Sequence, residues 1–147
     1  MAKVVAVNIS EKKGTVKKPI EVGNFKINHG LEGDAHAGNW HRQVSLLAQE
    51  SIDKMIALGV DGLDAGKFAE NITTQGIELH TLPVGTRLKI GETLQEVTQI
   101  GKKCHSGCEI SQQVGMCIMP TEGIFTIILK NGTVRPGDVI QILNEEN

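Results

Sequence analysis

The chain has 147 residues, a length that fits one domain with a core of its own and needs no covalent staples. A net charge of -2, with acids and bases interleaved, excludes a basic footprint for nucleic acid or for an anionic membrane surface. Three Phe, one Trp and no Tyr leave Val, Ile and Leu to build the core.

In chain order, Lys3 to Ser10 alternates like a strand rather than a signal peptide, and no apolar run approaches the roughly 20 residues of a membrane span. Glu11 to Lys18 (EKKGTVKK) is expected to be a basic, mobile loop, and Pro19 to Ile27 a second strand. Asn28 to Arg42 shows neither period and predicts a long ordered loop, a kind of segment that commonly carries function. Val44 to Ala48 reads as a short apolar strand. A helix follows over about Gln49 to Leu58, with Ile52, Met55, Ile56 and Leu58 on one face and Gly59 as its stop. Phe68 to Thr74 and Ile77 to Leu82 are expected as extended pieces around Gly76. Arg87 to Ile90 and Thr93 to Ile100 predict a hairpin across Gly91-Glu92. A second hairpin is expected at Asn131-Gly132, between Gly123 to Leu129 and Val134 to Leu143, with a further turn at Pro136-Gly137-Asp138. Short strands, frequent turns and one helix predict a single mostly β domain over residues 1–147, barrel or sandwich, with minor helix.

Three stretches concentrate chemistry. In G-L-E-G-D-A-H-A-G-N-W-H-R, Asp34, His36, His41 and Arg42 fall within nine residues. Each alone is most simply a solvated histidine or a capping aspartate. Together they offer imidazoles that donate, accept or ligate, and a planar fork for phosphate or carboxylate. Asp34, His36 and His41 could also supply zinc or iron, although their spacing follows no standard ligand motif. In F-A-E-N-I-T-T, Glu70, Asn71 and Thr73 either face water on a strand edge or bond a polar ligand, with Glu70 a candidate partner for Arg42. In G-K-K-C-H-S-G-C, Lys102, Lys103 and His105 surround Cys104 with positive potential that favours the thiolate, the form that attacks sulfur and binds soft metals. Cys108 reads as a second ligand, a resolving thiol or a structural residue, and Cys117 as a small core residue. Cys104, His105, Cys108 and Cys117 as a zinc site is the weaker alternative. Three free thiols in an unstapled domain point to a reducing, cytoplasmic setting.

Taken in order, these segments resemble the MOSC domain family, named for the C-terminal domain of eukaryotic molybdenum-cofactor sulfurases. The match continues through Ile77, through Leu82 to Gly85, L-K-I-G and L-Q-E-V-T-Q-I-G, to the single Cys104 beyond, and spans about residues 3 to 143. The resemblance implies a β-barrel of the pyruvate-kinase type. It implies that Cys104 carries sulfur as a persulfide, in a sulfurtransferase-like step, or ligates molybdenum. It places Gly33, Asp34, His36, His41, Arg42, Glu70 and Asn71 along the same cleft. Arg42, with Lys102 or Lys103, would hold the phosphate of a molybdopterin, Asn71 and Thr73 its pterin, and His36 or His41 would move protons. Partners would be a sulfur donor such as a cysteine desulfurase, and molybdenum-cofactor biosynthesis proteins or molybdoenzymes. Alternatives within the resemblance are a noncatalytic module that hands over the cofactor or molybdate, and a molybdenum-dependent reductase of N-hydroxylated compounds. Lys103 stands where many relatives have proline, and Cys108 and the C-I-M-P-x-E-G run are further departures. The pyridoxal-phosphate domain of the sulfurases has no counterpart here, so that cofactor is not expected on this chain alone.

Overall fold

A computed structural model describes residues 2–12, 17–57, 70–101 and 122–143. Its backbone is one eight-stranded sheet and one of three strands. Strand β1 (Lys3–Ile9) pairs antiparallel with β2 (Lys18–Ile20) on one side. On the other side it pairs antiparallel with β6 (Ile72–Gln75). The run then continues through β5 (Val44–Ala48), β9 (Ile124–Lys130), β8 (Thr93–Ile100), β7 (Arg87–Ile90) and β11 (Ile140–Leu143). β5 and β6 are parallel, and the helix α1 (Gln49–Ala57) begins the connection between them. Such a connection is what a parallel pair requires. The small sheet orders β10 (Gly132–Val134), β3 (Gly23–Lys26) and β4 (Gly30–Leu31).

The mostly β class holds, with one α-helix among the described residues. The barrel does not close as a continuous ladder. Its two far sides are instead stitched by a single bridge, Lys3 to Val139, and by backbone bonds from Val4 N to Asp138 O (2.8 Å), Gly137 N to Val4 O (2.7 Å) and Ile140 N to Ala2 O (2.9 Å). The curled sheet encloses an aliphatic core that includes Val4, Val7, Leu46, Ile72, Leu88, Val97, Ile124 and Ile140, with Phe25, Leu31 and Val134 brought in by the small sheet. All five residues of β5 are buried, because that strand has sheet neighbours on both sides and α1 against it.

Several local expectations change. Pro19 to Ile27 is two strands in two sheets. β10 does not fold back on β9 as a hairpin; it crosses to β3, and Asn131 uses its side-chain oxygen to accept from Ile27 N at 2.7 Å. Ile77 to Leu82 is not extended: Leu79–Thr81 forms a 3-10 turn that buries Leu79. On α1 the buried stripe is Ser51, Ile52 and Met55, and Ile56 is exposed. The helix is rolled toward Glu122, whose carboxylate accepts from Ser51 Oγ at 2.6 Å and from Lys54 Nζ at 3.0 Å. Leu58, Gly59, Phe68 and Ala69 lie outside the described residues.

Candidate functional site

The loop between β4 and β5 is pinned at its start by Gly30. Its φ is +104°, and a Cβ there would sit 2.6 Å from the Gln43 carbonyl oxygen, so only glycine lets the two ends of the loop approach this closely. Inside the loop, Asp34 is fully buried at its side chain. Oδ1 accepts from Lys17 Nζ at 2.7 Å and from Ser10 N at 3.0 Å, and Oδ2 accepts from His36 N at 3.1 Å. Burial pushes this carboxyl up, but the Lys17 hydrogen bond and charge, the Ser10 amide and the Asn71 side chain outweigh it and hold Asp34 below its ordinary value. Asp34 is thus both a cap for neighbouring backbone and half of a buried ion pair.

Lys17 is the partner that sequence reading missed. It lies in the stretch expected to be a mobile loop, yet its side chain has no exposed surface. Its ammonium donates to Asp34 Oδ1, to Ser10 Oγ at 3.0 Å and toward His36 Nδ1 at 3.1 Å. The His36 ring is partly exposed.

Glu70, Asn71 and Thr73 are all completely buried; the first two immediately precede β6 and Thr73 lies within it. Asn71 bridges three segments: Oδ1 accepts from Ser45 N at 3.0 Å and Ser45 Oγ at 3.2 Å, and Nδ2 donates to Asn8 O at 3.3 Å. Thr73 donates to Glu70 Oε2 at 2.8 Å and accepts from Asn8 Nδ2 at 3.1 Å. Asn8, on β1, is a second residue that alternation alone does not flag. The two polar clusters of the sequence meet at the end of β1, where Asn71 Nδ2 donates to Asn8 O and Asp34 Oδ1 accepts from Ser10 N. Asn71→Ala would strip the Ser45 amide and the Asn8 carbonyl of this partner, costing about 2–4 kcal/mol, since an unsatisfied buried group costs about 1–3 kcal/mol. A urea midpoint within error of wild type would show that water replaces the amide.

Arg42 and His41 occupy the more open end of the loop. The Arg42 guanidinium carbon lies 4.6 Å from the centre of the Trp40 ring and 5.6 Å from that of Phe125. Its Nε is buried and has no hydrogen-bond partner among the described residues. Trp40 is itself fixed, donating Nε1–H to His36 O at 2.9 Å. No contact joins Arg42 to Glu70 among the described residues. His41 Nε2 lies 2.8 Å from Gln99 Oε1, and Gln99 Nε2 donates to Gly101 O at 2.7 Å. Thr98 Oγ1 donates to the His41 carbonyl. These contacts tie the loop to the end of β8, where Gly101 N donates to Gly123 O at 2.6 Å. Residues 102–121, which include Lys102, Lys103, Cys104, His105, Cys108 and Cys117, lie outside the described residues, as does Lys67. No group of three or more His, Cys, Asp and Glu side chains suited to a metal ion occurs among the described residues. No helix among them is long and apolar enough to cross a membrane.

The chain is similar to the crystal structure of the YuaD protein from Bacillus subtilis, with a TM-score of 0.72 at 20% identity, covering 97% of this chain and 96% of that one. It is similar to YiiM from Geobacillus stearothermophilus, with a TM-score of 0.75 at 18% identity over 98% of this chain and 76% of that one. YiiM from Escherichia coli gives 0.72 at 17% identity, over 99% and 71%. At these identities the likeness is one of fold. No curated protein matches the sequence significantly. The family model of the MOSC domain matches residues 33–141, from the glycine before Asp34 into β11. With well over half of the chain matched, this protein belongs to the MOSC domain family.

Proposed function

We propose that this protein serves molybdenum-cofactor chemistry by carrying sulfur as a persulfide on Cys104, or molybdenum on the same thiolate, beside an anion seat built around Arg42. The MOSC family is linked to molybdenum-cofactor-related functions, and that coarser assignment follows from the family match. The finer reading is supported chiefly by Arg42. A guanidinium held over two aromatic rings, its Nε buried without a hydrogen-bond partner among the described residues, keeps a planar fork that suits the phosphate of a molybdopterin. Gly101, joined to the same loop through Gln99 and His41, is three residues before Cys104, and three residues of chain span at most about 11 Å. That length of chain is compatible with a thiol close to this loop.

In the carrier reading, the Cys104 thiolate attacks the terminal sulfur of a donor persulfide, such as that of a cysteine desulfurase. The donor S–S bond breaks as the new one forms, the donor leaves as its thiolate, and no net oxidation occurs. The bound cofactor would supply the molybdenum centre and a phosphate. Arg42 holds the phosphate, while Asp34 fixes the loop through Lys17 and Ser10, and Asn71 and Thr73 tie its base to β5 and β1. Asn71 and Thr73 have no exposed surface, so their part in ligand binding is to position this loop.

The test loads the full-length protein with a cysteine desulfurase and free cysteine, then reads persulfide by a tagged probe and by mass. Wild type is expected to gain one sulfur on Cys104, and Cys104→Ala to lose at least nine-tenths of the label. Undiminished labelling of Cys104→Ala would remove the carrier reading. Retained cofactor binding by that variant would favour simple hand-over.

A further inference from the structure

His41 and Arg42, consecutive at the open end of the loop, offer opposite chemistry, and Gln99 decides it for the histidine. The Gln99 amide is oriented by the backbone: its Nε2 donates to Gly101 O at 2.7 Å, so its Oε1 is the atom that faces His41. The reverse orientation would set two carbonyl oxygens against each other. Oε1 only accepts, so its 2.8 Å contact with His41 Nε2 requires the proton on that nitrogen. In the neutral ring Nδ1 is then the lone-pair atom, and it makes no hydrogen bond among the described residues. Thr98 Oγ1 holds the His41 carbonyl, so β8 grips both backbone and ring while the residue itself stays exposed. Arg42, next along the chain, has donors only. Trp40 gathers the two: the His41 ring stands edge-on to it with 6.0 Å between ring centres, and the Arg42 guanidinium carbon lies 4.6 Å from its centre.

We propose that His41 is a specificity-determining residue of the anion seat and that Gln99 is the residue that positions it: the bare Nδ1 accepts from an oxyanion that still carries a proton, while Arg42 meets its charge. Hydrogen phosphate and the monoanion of a phosphate monoester have such an O–H. Sulfate, with the same charge as hydrogen phosphate and a similar size, has none. Donors alone would hold either anion. A fixed acceptor favours the protonated one, because sulfate would turn an oxygen lone pair toward the lone pair of Nδ1. The other neutral tautomer could donate to both anions, but it would leave a bare Nε2 facing Gln99 Oε1. This assignment rests on the anion seat proposed above, and not on sulfur carriage by Cys104.

Calorimetric titration of the full-length protein compares inorganic phosphate with sulfate at equal ionic strength and about pH 8, where phosphate keeps one proton and an ordinary histidine is neutral. Wild type is expected to bind phosphate about tenfold more tightly than sulfate, the effect of one hydrogen bond. His41→Phe keeps a ring beside Trp40 and is expected to bring the two anions to equal affinity by weakening phosphate alone. Gln99→Leu is expected to lose part of the preference. Long-range proton–nitrogen correlation NMR on nitrogen-15-labelled protein at the same pH reads the ring itself. Wild type is expected to show a bare Nδ1 and a protonated Nε2, and Gln99→Leu the averaged values of an untethered ring. Equal binding of the two anions by wild type, or binding of neither, overturns the assignment of His41 to the seat. A protonated Nδ1 in wild type, or the wild-type pattern in folded Gln99→Leu, overturns the role of Gln99. Sulfur loading of Cys104 enters neither measurement, so its failure and the failure of this proposal are told apart.

Discussion

Asp34→Ala is expected to destabilise the fold by about 3–5 kcal/mol, because it leaves the buried Lys17 ammonium without its counter-charge. For a domain of this size that is a fall in Tm on the order of 10 °C. The same substitution also frees the Ser10 and His36 amides, which adds to the loss. Replacing both partners, as in Lys17→Met with Asp34→Leu, should recover much of it, since the penalty belongs to the uncompensated charge rather than to the missing pair. The pH dependence has a definite sign. The folded state holds Asp34 below its ordinary value of 3.8. Its contribution is therefore complete above that value and is lost as the pH falls below it, through the depressed folded value. Urea midpoints of wild type and Asp34→Ala should differ by a constant amount from neutrality to about pH 5 and converge below about pH 4. A gap that stayed the same down to pH 2, or a variant as stable as wild type, would show that the pair is not what holds the loop.

The second large effect concerns binding. Arg42→Met should weaken capture of a pterin monophosphate about 10- to 100-fold, the equivalent of the roughly 1.5–3 kcal/mol that a hydrogen bond to a charged group contributes. Methionine keeps apolar contact with Trp40 and Phe125, so the fold should tolerate the change. Arg42→Lys should restore only part of the affinity: it returns the charge, but not the planar fork or its contact with the two rings. The unphosphorylated pterin is the control, and its weak binding should not depend on residue 42. Calorimetric titration that showed equal affinity of wild type and Arg42→Met for the phosphorylated compound would remove Arg42 from the site.

What could be read from the sequence, and what could not, follows the range of the forces involved. β1, β5 and the β7–β8 hairpin are legible because alternation, an apolar run and Gly91 are local signals with local consequences. The turn at Pro136-Gly137-Asp138 is legible for the same reason: Gly137 adopts φ +95° and Asp138 Oδ2 accepts from Arg135 N. Asn131-Gly132 carries an equally strong local turn signal, but pairing of β10 with β3 overrides it, and the asparagine spends its side chain on Ile27 instead. Within the site, the Asp34 to Arg42 segment stood out by composition. Its controlling partners did not. Lys17 sits in a run of lysines that reads as solvated surface, and nothing in the run distinguishes the one whose ammonium is matched by an aspartate, a serine and a histidine. Asn8 and Gln99 are similarly invisible, since each acquires its role from a partner far away in sequence, Thr73 and His41. Glu70, Asn71 and Thr73, just before and within β6, were singled out as polar residues in an apolar setting; they are buried there because Thr73 bonds Glu70, and Asn8 of β1 and Ser45 of β5 bond Glu70 and Asn71.

The stitching of Ala2, Lys3 and Val4 to residues 137–140 has a kinetic consequence. The part of β1 around Lys3 and Val4 cannot complete its pairing until residues 137–140 have been made, because that distant segment fills the flank that β2 leaves open. Loop-closure entropy must be overcome before those contacts give anything back, which places this topology among the slow folders. Until then the Lys3–Val4 part of β1 has no partner on the side away from β6, and the nascent protein exposes the kind of strand flank that other chains can join.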